Sequence, residues 1–547
     1  VDHRVHRRLG FHRGNSLGNQ FVAVRPDDVN AQDLAILGIA DDFHKALMAA
    51  QNRGLGVAHE RELADFHIMP GGLRLRFRHA HRTDARLGIG RTRNAVFIDR
   101  RIRLARDGGL YVPESWPTLT EAEIAALAGL PYAEVAYRIV SRFVGDEIAE
   151  ADLRAMLDEA YATFRHPAVT PLVQLAPNHF LLELFHGPTL AFKDVAMQFL
   201  GRVMDHVLAR VGKRATIVGA TSGDTGGAAI EAFKGRERVD VFIMFPHGRV
   251  SPVQQRQMTT VGDPNVHAIA LEGTFDDAQG ILKGMFNHFS FRDRIGLTGV
   301  NSINWARVVA QVVYYFVAAA ALGSPARKVS FCVPTGNFGD VFAGWVAKKM
   351  GLPIEKLIVA TNVNDILHRT LETGDYTLRD VTASISPSMD IQVSSNFERL
   401  LFEAVGRDGS TVTALMASLA QAKTFTVPEA ALAAIRADFA SGRADEAETA
   451  ATIARYLKET GEVLDPHTAV AVSVAEKFLS AETPVITLST AHPAKFPDAV
   501  EAATGARPGL PVWLGDLMER TERFDVVEND LLAVERFVEA RSRAVTI

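Results

Sequence analysis

Only one cysteine, Cys332, occurs in the 547 residues. An internal disulfide and any multi-cysteine metal centre are therefore excluded, and a reducing cytoplasm is the compartment such a chain suits. Long apolar runs are missing too. The most apolar stretch, Val308 to Leu322, is broken by Gln311 and is too short to cross a bilayer, so it reads as a buried helix. No charged start followed by an apolar h-region marks a signal peptide. Charge of one sign is also lacking. The 59 Lys and Arg stand against 64 Asp and Glu, a formal net charge of -5, which gives no reason to expect nucleic acid or an anionic membrane as partner. His467 and His492 have no partners at ligand spacing, so zinc, or any other metal, is not expected.

At 47% hydrophobic and 22% charged residues, the composition is that of a soluble globular protein. The length exceeds what one core accommodates, so two or three domains are expected. Lysine is scarce at one end. Residues 1–98 hold one lysine, Lys45, against fourteen arginines and eight of the 18 histidines. Apolar periodicity there is confined to Asp33–Ala50, while Leu73-Arg74-Leu75-Arg76-Phe77-Arg78 alternates as a strand does. Three readings stand: a basic arm for nucleic acid, a poorly ordered extension, or a non-native stretch from a shifted frame or wrongly chosen start in a GC-rich gene. The two bland readings are preferred to the basic arm.

Regular patterning begins at Asp107. Asp107-Gly108-Gly109 is expected to turn and Leu110-Tyr111-Val112 to form a short strand. Helices are expected over Thr118–Leu127, Tyr132–Phe143 and Ala151–Tyr161. Leu172–Phe185 carries two short apolar runs. Apolar strands separated by helices then follow at Ala215–Ala220, Val239–Phe245, Val266–Leu271, Val329–Val333, Ile358–Thr361 and Val485–Leu488. That alternation predicts a mostly parallel sheet covered on both faces, whose ligands bind beyond the strand C-termini. No repeat or low-complexity linker intervenes, so the subdomains are expected to be intertwined.

Four stretches carry chemistry. In Leu184-Phe185-His186-Gly187-Pro188-Thr189-Leu190-Ala191-Phe192-Lys193-Asp194, a Gly-Pro-Thr turn delivers Lys193 to the start of an amphipathic helix through Val195, Met197, Phe199 and Leu200. A lysine dehydrated among apolar neighbours has a lowered pKa and an amine able to attack a carbonyl; a surface lysine with a snorkelling stem is the bland alternative. Thr221-Ser222-Gly223-Asp224-Thr225-Gly226-Gly227 follows the strand ending at Ala220 and opens a helix. It makes either a polar cradle for an anionic or ring substituent or an ordinary capped turn. Pro334-Thr335-Gly336-Asn337-Phe338-Gly339-Asp340 can converge backbone N–H groups on an anion, and it lacks the Gly-Lys-Ser/Thr ending of a nucleotide loop. Ser489-Thr490-Ala491-His492-Pro493-Ala494-Lys495-Phe496 follows the last strand.

These motifs resemble those of threonine synthases, pyridoxal-phosphate enzymes that convert O-phosphohomoserine to threonine. The resemblance runs from about Leu104 almost to the C-terminus and includes Leu104-Ala105-Arg106-Asp107-Gly108-Gly109-Leu110-Tyr111-Val112-Pro113-Glu114. The family usually has a short strand just before this segment, where Arg91–Arg103 stands here. The resemblance implies the fold-type II (tryptophan synthase β-like) α/β architecture, with mostly parallel sheets in two intertwined subdomains. The domains expected are 1–98 as the atypical extension, 99–170 as a small N-terminal domain, 171–500 as the cofactor-binding core and 501–547 as a segment packing on it.

The resemblance also assigns residues. Lys193 would carry the cofactor and act as the base. Gly336, Asn337, Phe338, Gly339 and Asp340 would hold the cofactor phosphate, and Thr490 would face the pyridine nitrogen. Asp224, where many relatives have Asn, would lie by the ring oxygen, with Thr221 and Ser222 along the substrate carboxylate. The phosphate of the substrate calls for a second anion site, and Ser251, Gln255, Asn301, Ser302, Asn304 and Arg307 are its candidates, Arg307 being suited to bidentate phosphate binding. Lys283, Ser386-Pro387-Ser388-Met389-Asp390, Ser394, Ser395, Asn396 and Phe397 are family matches without a role. The reading is a carbon–oxygen lyase acting on phosphates in a cytoplasmic monomer or homodimer. The rivals are another fold-type II enzyme, such as a threonine dehydratase or cysteine synthase, and a non-catalytic homologue acting as a binding protein.

Overall fold

Runs of two to eight residues, the longer ones rich in Val, Ile and Phe, form the strands of this structure, a computed structural model. It describes residues 109–545, and the backbone of strands at 12–13, 20–24, 64–69 and 72–76. The chain divides into two units, Val1–Arg91 and Thr92–Ile547. In the first, the four strands pair as one antiparallel sheet. The alternating run contributes to the last of them, Gly72–Arg76. The periodic stretch Asp33–Ala50, the segment Arg91–Arg103 and the residues Asp107 and Gly108 lie outside the described residues.

The second unit is built on two sheets. The larger has six strands in the order Phe439–Arg443, Ile354–Thr361, Val329–Pro334, Val485–Ser489, His179–Glu183 and Leu172–Ala176. All neighbours are parallel except the last pair, a hairpin from the two short runs after Leu172. The smaller has five parallel strands in the order Leu297–Thr298, Ala215–Ala220, Val239–Pro246, Val266–Leu271 and Asp525–Val527. The chain leaves the first sheet at Glu183, builds most of the second, and returns at Val329. Parallel strands buried on both faces need the largely apolar sequences seen here, such as Val-Asp-Val-Phe-Ile-Met-Phe-Pro at Val239–Pro246, buried throughout, with its one charge, Asp240, paired to Arg543 at 2.6 Å.

Helices fill the space around the sheets. The stretch around Val308 forms Trp305–Ala321, buried along nearly its whole length. Lys193–Arg210 is buried on every face over its first nine residues, so the helix read as amphipathic is a central one. Glu121–Ala125 is shorter than the Thr118–Leu127 expected, because Thr120 ends it with a capping box in which Glu123 N–H donates to Thr120 Oγ1 at 3.2 Å. The expected helices at Tyr132 and Ala151 form as Tyr132–Val144 and Glu150–Tyr161. Leu110-Tyr111-Val112 is not a strand. Its Tyr111 carbonyl accepts from Arg399 Nε at 3.0 Å, so a buried side chain satisfies backbone that a sheet partner would otherwise take.

Candidate active site

Four strand C-termini deliver the site. His179–Glu183, Val485–Ser489 and Val329–Pro334 are adjacent and parallel in the larger sheet, and the chain beyond each carries a motif. Ala215–Ala220 brings the fourth motif from the smaller sheet. Two segments are stitched directly: Phe192 N–H donates to the Thr490 carbonyl at 2.8 Å and His492 N–H to the Leu190 carbonyl at 3.0 Å. The tight turn before Lys193 has a steric basis, since a Cβ on Gly187 would lie 2.5 Å from the Asp194 Cβ. The buried Asp194 carboxylate accepts from Thr189 N–H (2.8 Å) and Oγ1 (2.7 Å) and fixes that turn.

Lys193 opens its helix with its side chain buried. Its Nζ donates to Asp224 Oδ2 at 3.0 Å and lies 3.4 Å from Ser388 Oγ. Burial lowers the amine's pKa against the attraction of Asp224. Burial would raise the pKa of Asp224, but Lys193 and Lys495 outweigh it and hold the carboxylate well below its ordinary range. Lys495 Nζ is 2.8 Å from Asp224 Oδ1, and Gln254 Nε2 donates to the same oxygen at 2.8 Å.

The loop before Asp224 is held from within. Thr221 Oγ1 accepts from Gly223 N–H (2.9 Å) and Gly226 N–H (3.0 Å), so its hydroxyl shapes the loop, while Ser222 is exposed. The Gly336–Gly339 loop ends at the helix Gly339–Lys349 with Phe338 in the left-handed region at φ 63°. That conformation costs a bulky residue roughly 1–3 kcal/mol, and burial of its ring against Phe397 and Phe439 offsets the cost. Outer residues grip this loop: Ser394 Oγ donates to the Gly336 carbonyl (2.7 Å), and Asn396 Nδ2 to those of Asn337 (2.9 Å) and Ser302 (3.2 Å). The Asp340 carboxylate turns away onto the hydroxyls of Tyr314 (2.5 Å) and Tyr315 (2.9 Å), and burial raises its pKa to about 6.

The candidates for the second anion divide. Asn304 caps the helix Trp305–Ala321, its Oδ1 accepting from Ala306 N–H at 3.0 Å, while its Nδ2 is a buried donor with no partner. Arg307 is buried, donates Nη1 to the Val300 carbonyl at 2.9 Å, and keeps an unpartnered buried Nε. Ser302 is half-buried and Asn301 exposed. Ser251 caps the helix Pro252–Thr259. Gln255 points to Glu522, 3.2 Å away; its neighbour Gln254, one step round the helix, faces the site instead. Lys283 is exposed and does not join the cluster.

Sequence reasoning missed Gln254, Lys495, Ser388 and His467 as parts of the site. Nδ1 of His467 lies 2.9 Å from Asp465 Oδ1, and its Nε2 accepts from Ser388 N–H at 3.2 Å, so the imidazole positions the Ser388 turn. Lys495 lies in the last motif above and Ser388 in a family match without a role; packing around Asp224 and Ser388 is what joins Gln254 and His467 to them. Among the described residues, no group of His, Cys, Asp and Glu could hold a metal.

Three family descriptions match the chain: Threonine synthase N terminus over residues 102–161, Pyridoxal-phosphate dependent enzyme over 163–490, and Threonine synthase, C-terminal over 468–538. A threonine synthase of Pseudomonas aeruginosa is 53% identical over 437 residues, covering 80% of this chain and 93% of that protein. The chain belongs to the threonine synthase family. Its fold agrees with the crystal structure of PLP-bound threonine synthase from Brucella melitensis, at 61% identity and a TM-score of 0.81 over 82% of this chain and 97% of that one. Yeast threonine synthase aligns with a TM-score of 0.77 at 41% identity, over 81% of this chain and 95% of that one. The chain is thus a fold-type II pyridoxal-phosphate enzyme of this family.

The residues present fit pyridoxal phosphate. An aldehyde needs an amine, and Lys193 supplies a buried one of lowered pKa. A phosphate needs convergent donors, and the Gly336–Gly339 loop ends at a helix N-terminus. The loop is packed so closely that a Cβ on Gly336 would lie 2.8 Å from the Ser388 carbonyl oxygen. Asn304 Nδ2 and Arg307 Nε remain as buried donors for a further anion.

Proposed function

We propose that the chain converts O-phospho-L-homoserine and water to L-threonine and phosphate. The observation that carries this reading is Lys193. Its dehydrated amine is held by Asp224 where strand ends of both sheets converge, and a second set of buried donors lies apart on the helix of Arg307. When bound, pyridoxal phosphate supplies the electron sink that lets protons leave carbon next to an amino group. Lys193 would hold the cofactor aldehyde through its amine, and the same amine would take and return protons at the substrate α and β carbons. Asp224 orients the Lys193 amine. Gly336, Asn337, Phe338 and Gly339 would hold the cofactor phosphate through backbone N–H groups, with Asp340 in the first turn of the helix behind them, and Thr490 would serve the ring nitrogen.

Arg307 and Asn304 bind the substrate phosphate, with Asn301, Ser302, Ser251 and Gln255 around it. As the γ C–O bond breaks, its electron pair leaves with phosphate, and the Arg307 guanidinium stabilises that charge. Thr221 and Ser222 lie along the substrate carboxylate. We read residues 1–98 as an extension outside the catalytic machinery, and the compartment as a reducing cytoplasm in which Cys332 stays a thiol. The test is direct. The holoprotein should be yellow, borohydride should fix the cofactor on Lys193, and phosphohomoserine should yield threonine and phosphate in equal amounts. Phosphate release without threonine, or a label on another lysine, refutes the assignment.

A further inference from the structure

Lys495 is wholly buried, and neither of its two bonds is spent on solvent or surface. It lies in the turn Pro493–Lys495 beyond the central strand Val485–Ser489. Its Nζ donates to the Thr189 carbonyl at 2.7 Å, in the turn that leads to Lys193, and pairs with Asp224 Oδ1 at 2.8 Å. Lys193 holds the other oxygen of the same carboxylate, at 3.0 Å. One buried carboxylate therefore lies between two lysines. We propose that Lys495 is a positioning residue of the reaction centre, the permanent counter-ion of Asp224, which leaves Lys193 free to be the amine that reacts. The proposal rests on the reading that Lys193 carries the cofactor.

The charge balance supports this division of labour. Two ammonium groups share the Asp224 carboxylate, all out of water; the nearby Arg307 adds positive charge on the Lys193 side, while a second buried carboxylate, Asp194, faces Lys495. Like charges in a buried site drive one group to give up its proton. Lys495 has the shorter bonds, 2.7 and 2.8 Å, whereas Lys193 has contacts at 3.0 and 3.4 Å. Lys193 is thus the amine held less firmly by its partners. The pKa of Lys193 is lowered by burial first, opposed by Asp224, with Lys495 and Arg307 acting in the same direction as burial. His467, on the helix Pro466–Ala475, also faces Asp224, and its Nε2 accepts the Ser388 N–H at 3.2 Å. Asp194 faces Lys495 from the start of the Lys193 helix and is fixed by Thr189.

The second lysine also answers a structural problem. A single Lys–Asp pair would leave a lone buried anion as soon as the lysine amine entered the chemistry, and breaking a buried pair is strongly destabilising. With Lys495 in place, Asp224 stays paired at every stage.

The experiment uses the full-length chain freed of cofactor. Trace acetylation across a pH series, read by peptide mass spectrometry, gives the reactivity of each lysine amine. K495M should raise the pKa of Lys193 and slow its acetylation at neutral pH about tenfold, which corresponds to one pH unit. K495R, which keeps the charge, should restore most of the wild-type profile. Should K495M not fold, D224N/K495M removes both charges together, and Lys193 in it should react about tenfold more slowly than in D224N alone. An unchanged Lys193 profile in K495M, or equal rates in the D224N pair, overturns the proposal. Borohydride reduction of the wild-type holoprotein separates the two failures. A label on Lys193 with no effect of K495M refutes only the role of Lys495, whereas a label on another lysine refutes the reading beneath it.

Discussion

Replacing Arg307 by Met should make the protein no less stable and far less active, and the two signs have separate origins in the structure. The guanidinium is buried and forms no ion pair among the described residues; its one hydrogen bond goes to the Val300 carbonyl at 2.9 Å. Burial pushes its pKa down to about 10, a penalty on the charged form of about 3 kcal/mol. Methionine keeps much of the apolar stem and removes that penalty. Against this stands the lost charge-assisted bond to Val300, worth about 1.5–3 kcal/mol. The net expectation in phosphate-free buffer is a change between about zero and a gain of roughly 1.5 kcal/mol, seen as an unchanged or higher midpoint in urea.

Catalysis should move the other way. A charge-assisted hydrogen bond is worth about 1.5–3 kcal/mol, so kcat/KM for phosphohomoserine should fall roughly 10- to 150-fold. Cofactor absorbance should stay at the wild-type level, since the cofactor phosphate is assigned to the Gly336–Gly339 loop. Inorganic phosphate should then stabilise the wild type but not R307M. Normal kinetics with a large loss of stability in R307M would show that Arg307 is a structural cation and that the second anion binds elsewhere.

Three further outcomes are expected. Gly223 has φ 143°, and an added Cβ would lie 2.5 Å from Gln254 Cδ, so G223A should displace Gln254 from Asp224 and weaken cofactor binding at least about tenfold; an unchanged absorbance titration would count against this geometry. The folded pKa of Asp340 is raised by burial to about 6, so the acid form is favoured and its stabilisation, complete below the ordinary carboxylate pKa, is lost as pH rises through 6. D340N should therefore gain on the wild type between pH 4 and 6, by about 3 kcal/mol, and hold that margin above; a margin independent of pH would refute the assignment. Every motif assigned here begins at or after Leu104, so a chain starting at Arg101 should match the full chain in turnover, and one with a family-like opening strand in place of residues 1–100 should be more stable than either. Loss of activity on deletion that the replacement strand does not restore would make the extension part of the enzyme.

The strands that sequence located well are those buried on both faces. Ala215–Ala220 and Val266–Leu271 form with the expected limits, because a short apolar run between turns has few other ways to be buried. Phe439–Arg443 escaped notice because Phe-Ala-Ser-Gly-Arg has little β character; the exposed edge of the Ile354–Thr361 strand recruits it. Asp525–Val527 is three residues long and takes its conformation from pairing with Val266–Leu271. In the site, Lys193 and the glycine loops were picked out by their resemblance to the family's motifs, since turn chemistry alone left a bland reading open for each. Lys495 was not, since nothing within Pro-Ala-Lys-Phe says that this amine is buried opposite a carboxylate some 270 positions away. That Gln254, beside Gln255, meets Asp224 was hidden for a similar reason: one residue on a helix is a turn of about 100°, and only packing fixes which side chain faces the carboxylate.

The order of strands in the larger sheet has a consequence for how the protein is made. Val485–Ser489 lies between Val329–Pro334 and His179–Glu183. Until the ribosome has released that strand, its two neighbours have unpaired edges, although one of them was synthesised about 300 residues earlier. The smaller sheet waits longer still, for Asp525–Val527. The nascent chain thus carries open parallel edges through most of its synthesis, the condition under which chains aggregate or engage chaperones. A ribosome that stops near residue 480 releases no smaller version of the enzyme. It releases a sheet with a gap at its centre, where Thr490 and Lys495 belong.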